Sequence, residues 1–241
     1  MLFALRMLLL VVQFVAVGFA GLFVLFRPFN PDNSRIFGRL YSLPAIRILG
    51  LRVRREVDGL MNQPRSYVVV ANHQSNYDLF VLGCVVPKRT VSLGKKSLKW
   101  LPLFGQIYWL SGNVLIDRGN AIKAKQAMLT TTDTLQHKDT NIWVFAEGTR
   151  NLGRGLKPFK KGAFQMAITA GVPIVPVCCS TYKKTMRVNR WHSGDVIIRS
   201  LPPVPTAGLT NDDMPALMAR IHADMAACIA ELDEEVSRSA R

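Results

Sequence analysis

His73 and Asp78 stand five positions apart in a polar segment that directly follows an apolar, β-branched run. That run, Tyr67–Ala71, is typical of a buried strand. Side chains at this separation point in different directions on one continuous helix, whereas a strand-to-helix turn lets them meet. An imidazole held by a carboxylate is the usual arrangement of a general base. The alternative is that Asp78 only caps a helix and that His73 is an ordinary turn residue.

The same segment carries a signal for the start of a helix. Ser75 and Asp78 form a Ser-x-x-Asp pattern, which predicts Ser75 as the N-cap of a helix near residues 77–86. The positive end of the helix dipole favours an ionised Asp78, and a carboxylate held there can orient an imidazole and stabilise its cation. Capping the helix and orienting His73 are therefore compatible roles for Asp78.

A second polar segment, Glu147-Gly148-Thr149-Arg150, follows the strand expected at Asn141–Phe145. Glycine lets the backbone approach a ligand closely, and a guanidinium can bind a phosphate through two parallel hydrogen bonds. A carboxylate in an anion site would repel the ligand, so we expect Glu147 to orient a basic group or to accept a hydrogen bond from a substrate hydroxyl. The alternative is a basic turn with a surface ion pair.

Two further strand ends carry basic side chains. Lys95 follows the strand expected at Thr90–Leu93 and begins a stretch rich in lysine and aromatic residues, which indicates either a solvated basic face or a rim that faces lipid. Arg118 follows the strand expected at 113–116, and its planar guanidinium suits a phosphate. The preceding residue, Asp117, is placed to cap the next helix.

The elements that must position these residues alternate between short apolar strands and helical stretches. This alternation predicts an α/β domain, a layered sheet flanked by helices, whose ligands usually bind at the carboxyl ends of the strands. A last helix near residues 213–236 has one apolar stripe, which predicts docking against this domain. We expect further strands at 51–57, 174–179 and 196–201, and further helices at 97–110, 120–137 and 161–170.

The N-terminus predicts a membrane anchor. Met7–Phe26 is a run of twenty residues, nearly all apolar, with Arg6 before it and Arg27 after it, and its length matches the hydrocarbon core of a bilayer. Three interpretations are open: a transmembrane helix, a half-inserted helix that returns through a turn at Pro28 and Pro31, and a cleaved signal peptide.

Residues 34–49 place apolar side chains at helical spacing between arginines, which predicts a basic helix at the membrane interface. We therefore divide the chain into an anchor, residues 1–49, and an α/β domain, residues 50–241. Arginines are concentrated after the apolar run, so the positive-inside rule places the α/β domain on the cytoplasmic side of the inner membrane.

The composition limits the range of partners. Of 241 residues, 49% are hydrophobic, and 31 Lys and Arg against 16 Asp and Glu give a formal net charge of +15. Apolar and basic character together favour an anionic lipid surface or a phosphorylated substrate. The aromatic residues form no stacking pattern for RNA, so no nucleic-acid partner is expected. The four cysteines lack CxxC spacing and are expected to be reduced core residues, without a metal site.

Four segments occur in an order and at intervals that resemble the four blocks of the glycerolipid acyltransferases, most closely the bacterial members that act on 1-acyl-sn-glycerol 3-phosphate. They are His73-x4-Asp78, Ile116-Asp117-Arg118, the segment from Phe145 to Arg150, and Val172–Val177. The likeness extends over nearly the whole chain. One position departs from the pattern, since the family usually has proline before the glutamate of the third block and this chain has Ala146. We expect this change to alter the stiffness of the turn rather than its chemistry.

The resemblance implies an enzyme that transfers a fatty acyl group to the sn-2 hydroxyl of 1-acyl-sn-glycerol 3-phosphate (lysophosphatidic acid), giving phosphatidic acid for phospholipid biosynthesis. The donor would be a thioester of coenzyme A (acyl-CoA) or of acyl carrier protein (acyl-ACP), and no other cofactor is implied. His73 would act as the base, oriented by Asp78, and the acceptor's phosphate would lie near Arg150, with Arg118 or Lys95. Backbone N–H groups at the head of the helix after His73 are candidates for the oxyanion donors.

Two alternatives remain open at this stage. One is an acyltransferase for glycerol 3-phosphate or another lysophospholipid that uses the same residues. The other is a membrane lipid-binding protein without catalysis.

Overall fold

The computed structural model describes residues 1–63, 66–117, 119, 131–133, 135 and 139–239. Seven strands within these ranges form one sheet, in the order β1-β7-β6-β2-β5-β3-β4. They are β1 (Leu51–Glu56), β2 (Val68–Ala71), β3 (Thr90–Lys95), β4 (Val114–Ile116), β5 (Asn141–Phe145), β6 (Ile174–Cys179) and β7 (Gly194–Ser200). Each of the seven predicted strands is present, and the predicted α/β class is confirmed.

Five neighbouring strands, β6, β2, β5, β3 and β4, run parallel to one another. The pair at one side differs, because β7 is antiparallel to β6 and β1 runs parallel to β7. We call the edge at which β2, β3, β5 and β6 end the carboxyl edge, and the opposite edge the amino edge. The polar segments that follow these strands therefore meet at the carboxyl edge.

Seven α-helices lie within the described ranges, besides the helical residues 131–133 and 135. They are α1 (Leu2–Ala20), α2 (Asp32–Leu49), α3 (Asp58–Met61), α4 (Asp78–Leu82), α5 (Phe104–Leu110), α6 (Gly162–Ala170) and α7 (Met214–Ser239). The prediction of a single helix at 97–110 was wrong. The structure has a 3-10 helix, Lys96–Trp100, followed by the separate helix α5. Leu101 between them is extended, as the residue before Pro102 tends to be. The helix expected at 120–137 lies mostly outside the described residues.

The two faces of the sheet bury different side chains, because neighbouring residues of a strand point to opposite faces. Val68 and Val70 of β2 belong to a core with α6 and α7. Val69 and Ala71 belong to a second core, to which α2 and α4 contribute. The apolar stripe predicted on the last helix is confirmed, and the four cysteines are buried and free.

Helix α1 packs on α2 through one side and leaves large apolar side chains exposed on the other, including Leu8, Val11, Val15 and Phe19. The segment Leu2–Phe26 is long and apolar enough to cross a membrane, by length and composition. Its polar residue Gln13 donates from Nε2 to the carbonyls of Leu40 and Tyr41 at 3.1 and 2.9 Å. Pro44 has no N–H for the Leu40 carbonyl, so Gln13 satisfies an acceptor that the proline leaves open.

The anchor and the α/β domain share a continuous core. Leu10 of α1 and Leu49 of α2 lie in the same apolar cluster as Val69. The buried guanidinium of Arg6 fixes the start of α1, because it donates to the carbonyls of three residues in segment 188–191 and to Ser193 Oγ at 2.6–2.9 Å. The division at residue 49 stays a prediction, and it does not separate two independently packed bodies.

Candidate active site

The turn after β2 brings His73 and Asp78 together at the carboxyl edge. Nδ1 of His73 lies 2.5 Å from Oδ2 of Asp78, and the side chains are 23% and 2% exposed. Because a carboxylate accepts, the proton is assigned to Nδ1 and the lone pair to Nε2. Nε2 has no hydrogen-bond partner among the described residues, so it can accept a proton from a substrate.

Three further donors hold the Asp78 carboxylate. The N–H groups of Gln74 and Ser75 donate to Oδ2 at 2.7 and 3.0 Å, and the hydroxyl of Tyr182 donates to Oδ1. The prediction of Ser75 as the N-cap was wrong, because α4 starts at Asp78 with Tyr77 at the capping position and no side-chain cap bond. The N–H groups of Gln74 and Ser75 are occupied by Asp78, so they do not serve as oxyanion donors in this geometry.

Tyr182 is a site residue that the sequence did not identify. It is 1% exposed and follows β6 at the carboxyl edge, as His73 follows β2. Burial, reinforced by the negative charge of Asp78, raises the pKa of the Tyr182 hydroxyl well above its usual value. The hydroxyl therefore remains a donor to Asp78 wherever His73 can act as a base. One feature of the sequence could have indicated Tyr182, because a polar aromatic residue follows shortly after a buried strand. The sequence alone, however, did not place β6 beside β2.

The turn that carries His73 is fixed to strand β6 by two amide side chains. Asn72 bridges the backbone of Cys179, with its Nδ2 donating to the carbonyl and its Oδ1 accepting from the N–H, both at 2.9 Å. Gln74 donates from Nε2 to the carbonyl of Ser180 at 2.7 Å and accepts from the N–H of Tyr182 at 3.1 Å. These bonds extend the β2–β6 contact beyond the strands, and they hold the turn that carries His73.

The imidazole of His73 stacks on the ring of Phe145, with the ring centroids 4.1 Å apart and the planes inclined by 17°. Phe145 is the last residue of β5, the strand next to β2. This contact fixes the plane of the imidazole in addition to the bond at Nδ1. Two neighbouring strands thus orient the base.

Glu147 is 1% exposed, and its carboxylate contacts the backbone of the turn that carries His73. Oε1 accepts from the N–H of His73 at 2.7 Å and from Nδ2 of Asn151 at 3.0 Å, and Oε2 accepts from the N–H of Lys157 at 3.0 Å. A buried carboxylate needs such donors. The expected contact of Glu147 with substrate stays a prediction, and the observed contacts give it a positioning role for His73.

The residues after Glu147 reach the surface beside the turn that carries His73. Gly148 has φ +67°, and Arg150, exposed like Thr149, donates from Nη1 to Oδ1 of Asn76 at 2.6 Å. Asn76 lies between His73 and Asp78 in the chain, so the structure brings Arg150 to the base. Ala146, where the family usually has proline, donates its N–H to the carbonyl of Ala71 at 3.3 Å, a bond that proline cannot make.

The two remaining predicted site residues are not joined to this group by any described contact. Lys95 ends β3, two strands from β2 and therefore about 10 Å away across the sheet. It lines a separate cleft of about 480 Å³ with Trp100 and Asp117. Arg118 lies outside the described residues, and the roles of Lys95 and Arg118 stay predictions.

An α/β fold with a His–Asp pair at the carboxyl edge has the arrangement of an enzyme that uses general acid–base chemistry. A family model described as Acyltransferase matches residues 54–180. The chain is 44% identical over 213 residues to the 1-acyl-sn-glycerol-3-phosphate acyltransferase of Haemophilus influenzae, covering 87% of each protein. It is 41% identical over 238 residues to the protein of that name in Escherichia coli, covering 98% of this chain and 97% of the relative.

A solved structure agrees with this assignment. The crystal structure of the 1-acyl-sn-glycerophosphate (LPA) acyltransferase PlsC from Thermotoga maritima superposes with a TM-score of 0.73 at 25% identity, covering 95% of this chain and 97% of that one. The chain belongs to the acyltransferase family, and it is an acyltransferase. The resemblance found in the sequence is thereby confirmed.

Proposed function

We propose that this protein transfers a fatty acyl group from an acyl thioester to the sn-2 hydroxyl of lysophosphatidic acid, giving phosphatidic acid. The observation that carries the proposal is the His73–Asp78 pair, with Nε2 of His73 free among the described residues and Arg150 bound to the same turn. The names of the relatives from Haemophilus influenzae and Escherichia coli support this acceptor.

The acceptor hydroxyl donates to Nε2 of His73 and transfers its proton there as its oxygen attacks the thioester carbonyl carbon. A C–O bond forms, and the tetrahedral intermediate then collapses with cleavage of the C–S bond. The proton held on Nε2 passes to the departing thiolate. Asp78 stabilises the transient imidazolium through Nδ1.

Arg150 is the proposed ligand of the acceptor's phosphate. Its bond from Nη1 to Asn76 orients the guanidinium, and its other nitrogens have no protein partner among the described residues. An oriented guanidinium can bind a phosphate through two parallel bonds. Because Asn76 and His73 belong to one turn, the phosphate and the sn-2 hydroxyl of one small headgroup can be bound together. Lys95 and Arg118 are proposed as further phosphate ligands.

The membrane supplies the acceptor in this proposal. Helix α1 has one face packed on the body and one apolar face exposed, which supports insertion of that exposed face into the inner membrane. A helix surrounded by lipid would leave Arg6 and Gln13 without the partners they have here. The arginines that follow α1 favour the cytoplasmic face.

A panel of acceptors and donors tests the proposed function. Detergent-purified wild type is given labelled acyl-CoA or acyl-ACP with lysophosphatidic acid, glycerol 3-phosphate or lysophosphatidylcholine. We expect transfer to lysophosphatidic acid to exceed transfer to the other acceptors, and we expect His73→Ala to abolish it. Faster acylation of glycerol 3-phosphate or lysophosphatidylcholine would contradict the proposed acceptor.

A further inference from the structure

A cavity of about 570 Å³ lies at the amino edge of the sheet, on the opposite side from His73. Its walls include Tyr67 and Asn141, which stand at the starts of β2 and β5. His73 comes six positions after Tyr67, at the other end of β2, and six steps of extended chain span about 20 Å. The volume falls within the range of small-molecule sites. The phosphate of an acceptor whose hydroxyl lies at His73 cannot reach this cavity.

The walls are strongly basic. Asp139 is the only acidic residue among those described on the walls, and it forms an ion pair with Arg89 at 3.2 Å. The basic residues on the walls are Arg35 and Arg39 of α2, Arg55 of β1, Lys88 and Arg89. The cavity therefore carries an excess of positive charge that attracts an anion.

Three of the arginines have no acidic partner. No carboxylate among the described residues pairs with Arg35, Arg39 or Arg55, and the sequence outside those residues contains neither Asp nor Glu. Nε of Arg35 is buried, and no described residue accepts a hydrogen bond from it. Burial lowers the pKa of the Arg39 guanidinium, and the positive charges of Arg35 and Arg55 lower it further. Converging guanidinium groups of this kind are stabilised by a bound anion, and their planar geometry suits phosphate oxygens.

Helix α2 places these arginines beside an apolar surface. Leu40 and Leu43 are 39% and 41% exposed, and they lie on the outward face of α2 next to the flank that carries Arg35 and Arg39. An amphipathic helix with exposed leucines and flanking arginines has the chemistry of a helix that lies at a lipid headgroup layer. A phosphate that enters the cavity from this side can belong to a lipid whose acyl chains contact Leu40 and Leu43.

We propose that the cavity at the amino edge binds the phosphate of an anionic phospholipid headgroup, at a site separate from the acceptor site. Arg39 and Arg55 hold the phosphate from two sides, one from α2 and one from β1. The bound lipid neutralises the cluster of like charges and fixes the position of α2 at the membrane surface.

The test is a binding titration by native mass spectrometry of the full chain in detergent micelles, without any acyl donor. The probes are dihexanoyl phosphatidylglycerol, dihexanoyl phosphatidylcholine and inorganic pyrophosphate. The variant Arg39→Gln/Arg55→Gln removes one arginine of α2 and one of β1 from the cavity. The control variant Arg47→Gln/Arg52→Gln also removes one arginine from α2 and one from β1. Arg47 and Arg52 are exposed, and neither side chain lines the cavity.

We expect wild type and the control to retain phosphatidylglycerol equally and in preference to phosphatidylcholine. The Kd of the Arg39→Gln/Arg55→Gln variant should rise by about tenfold or more, as loss of charge-assisted bonds implies. Arg55→Gln alone, at an exposed strand position, should raise the Kd by about threefold or more even where the double variant does not fold.

Several results would overturn the proposal. If the cavity variant and the control variant lost affinity for phosphatidylglycerol equally, the loss would reflect the overall charge of the protein and not the cavity. Equal retention of phosphatidylglycerol and phosphatidylcholine would remove the anion preference. Retention of pyrophosphate without phosphatidylglycerol would assign the cavity to a soluble phosphate instead of a lipid.

Discussion

The hydroxyl of Tyr182 donates to Oδ1 of Asp78, the carboxylate oxygen opposite the one that His73 uses. Asp78 is thus bound from both sides, by a tyrosine that follows β6 and by the base that follows β2. The tyrosine is 1% exposed and its hydroxyl is bound to Asp78, so we assign it a positioning role. In the proposed mechanism, Tyr182 holds the carboxylate that orients His73.

Tyr182→Phe removes this donor and leaves a buried carboxylate oxygen with one partner fewer. We expect kcat to fall by about three- to tenfold while the KM for the acceptor is unchanged, with a stability loss of about 1–3 kcal/mol. Tyr77→Phe is the control. Among the described residues, the Tyr77 hydroxyl reaches only Met7 Sδ, at 4.0 Å, so this variant should keep wild-type kcat. A fully active Tyr182→Phe would show that the bond to Asp78 is dispensable.

Because the pKa of Tyr182 is raised, we expect the free energy of unfolding to vary with pH in the alkaline range. Below about pH 10 both the folded and the unfolded chain keep the phenol proton, so the stabilisation by Tyr182 is complete. Above that pH the unfolded chain releases the proton and the folded chain retains it, so the free energy of unfolding falls as pH rises. Chemical denaturation in detergent between about pH 8 and about pH 11 should therefore show a steeper loss in wild type than in Tyr182→Phe. Parallel pH curves would contradict this assignment.

Glu147→Gln tests whether Glu147 positions the base. The amide keeps the shape of the side chain, but one of the two oxygens becomes an NH2 group, which donates instead of accepting. It would then face a donor, either the Lys157 N–H or the pair formed by the His73 N–H and Asn151 Nδ2. We expect a stability loss of about 1–3 kcal/mol and a lower kcat. Glu234→Gln, at an exposed ion pair on α7, should change stability by no more than about 0.5 kcal/mol. Equal effects of the two variants would remove Glu147 from the positioning of His73.

Arg150→Lys keeps the charge but loses the planar guanidinium. We expect the KM for lysophosphatidic acid to rise by about tenfold, with a smaller change in the KM for the acyl donor, because a lysine cannot bind a phosphate in the two-bond geometry. Arg154→Lys, an exposed change in the same loop, is the control and should leave both constants near wild type. An unchanged acceptor KM in Arg150→Lys would exclude Arg150 from the phosphate site.

The sequence predicted the strands and the catalytic pair because both are local patterns. Apolar runs specify strands, and a polar turn directly after a strand places His73 and Asp78 within reach of each other. The sequence predicted that Glu147 orients a basic group or accepts a hydrogen bond from a substrate hydroxyl. It did not predict the backbone N–H of His73 as the partner, because that contact joins segments 74 positions apart. Tyr182 was missed for the same reason, since its bond to Asp78 depends on β6 lying beside β2. The order of strands in a sheet is a property of the whole chain.

The most direct test of the account is acyl transfer from labelled acyl-CoA or acyl-ACP to lysophosphatidic acid by His73→Ala. Alanine removes the imidazole but keeps the backbone N–H that donates a hydrogen bond to Glu147, so the turn should retain its fold. Thermal unfolding and membrane binding serve as the controls. We predict that transfer falls by at least about a thousandfold with both controls unchanged. A folded, membrane-bound His73→Ala protein that still transfers acyl groups at near wild-type rate would contradict His73 as the base.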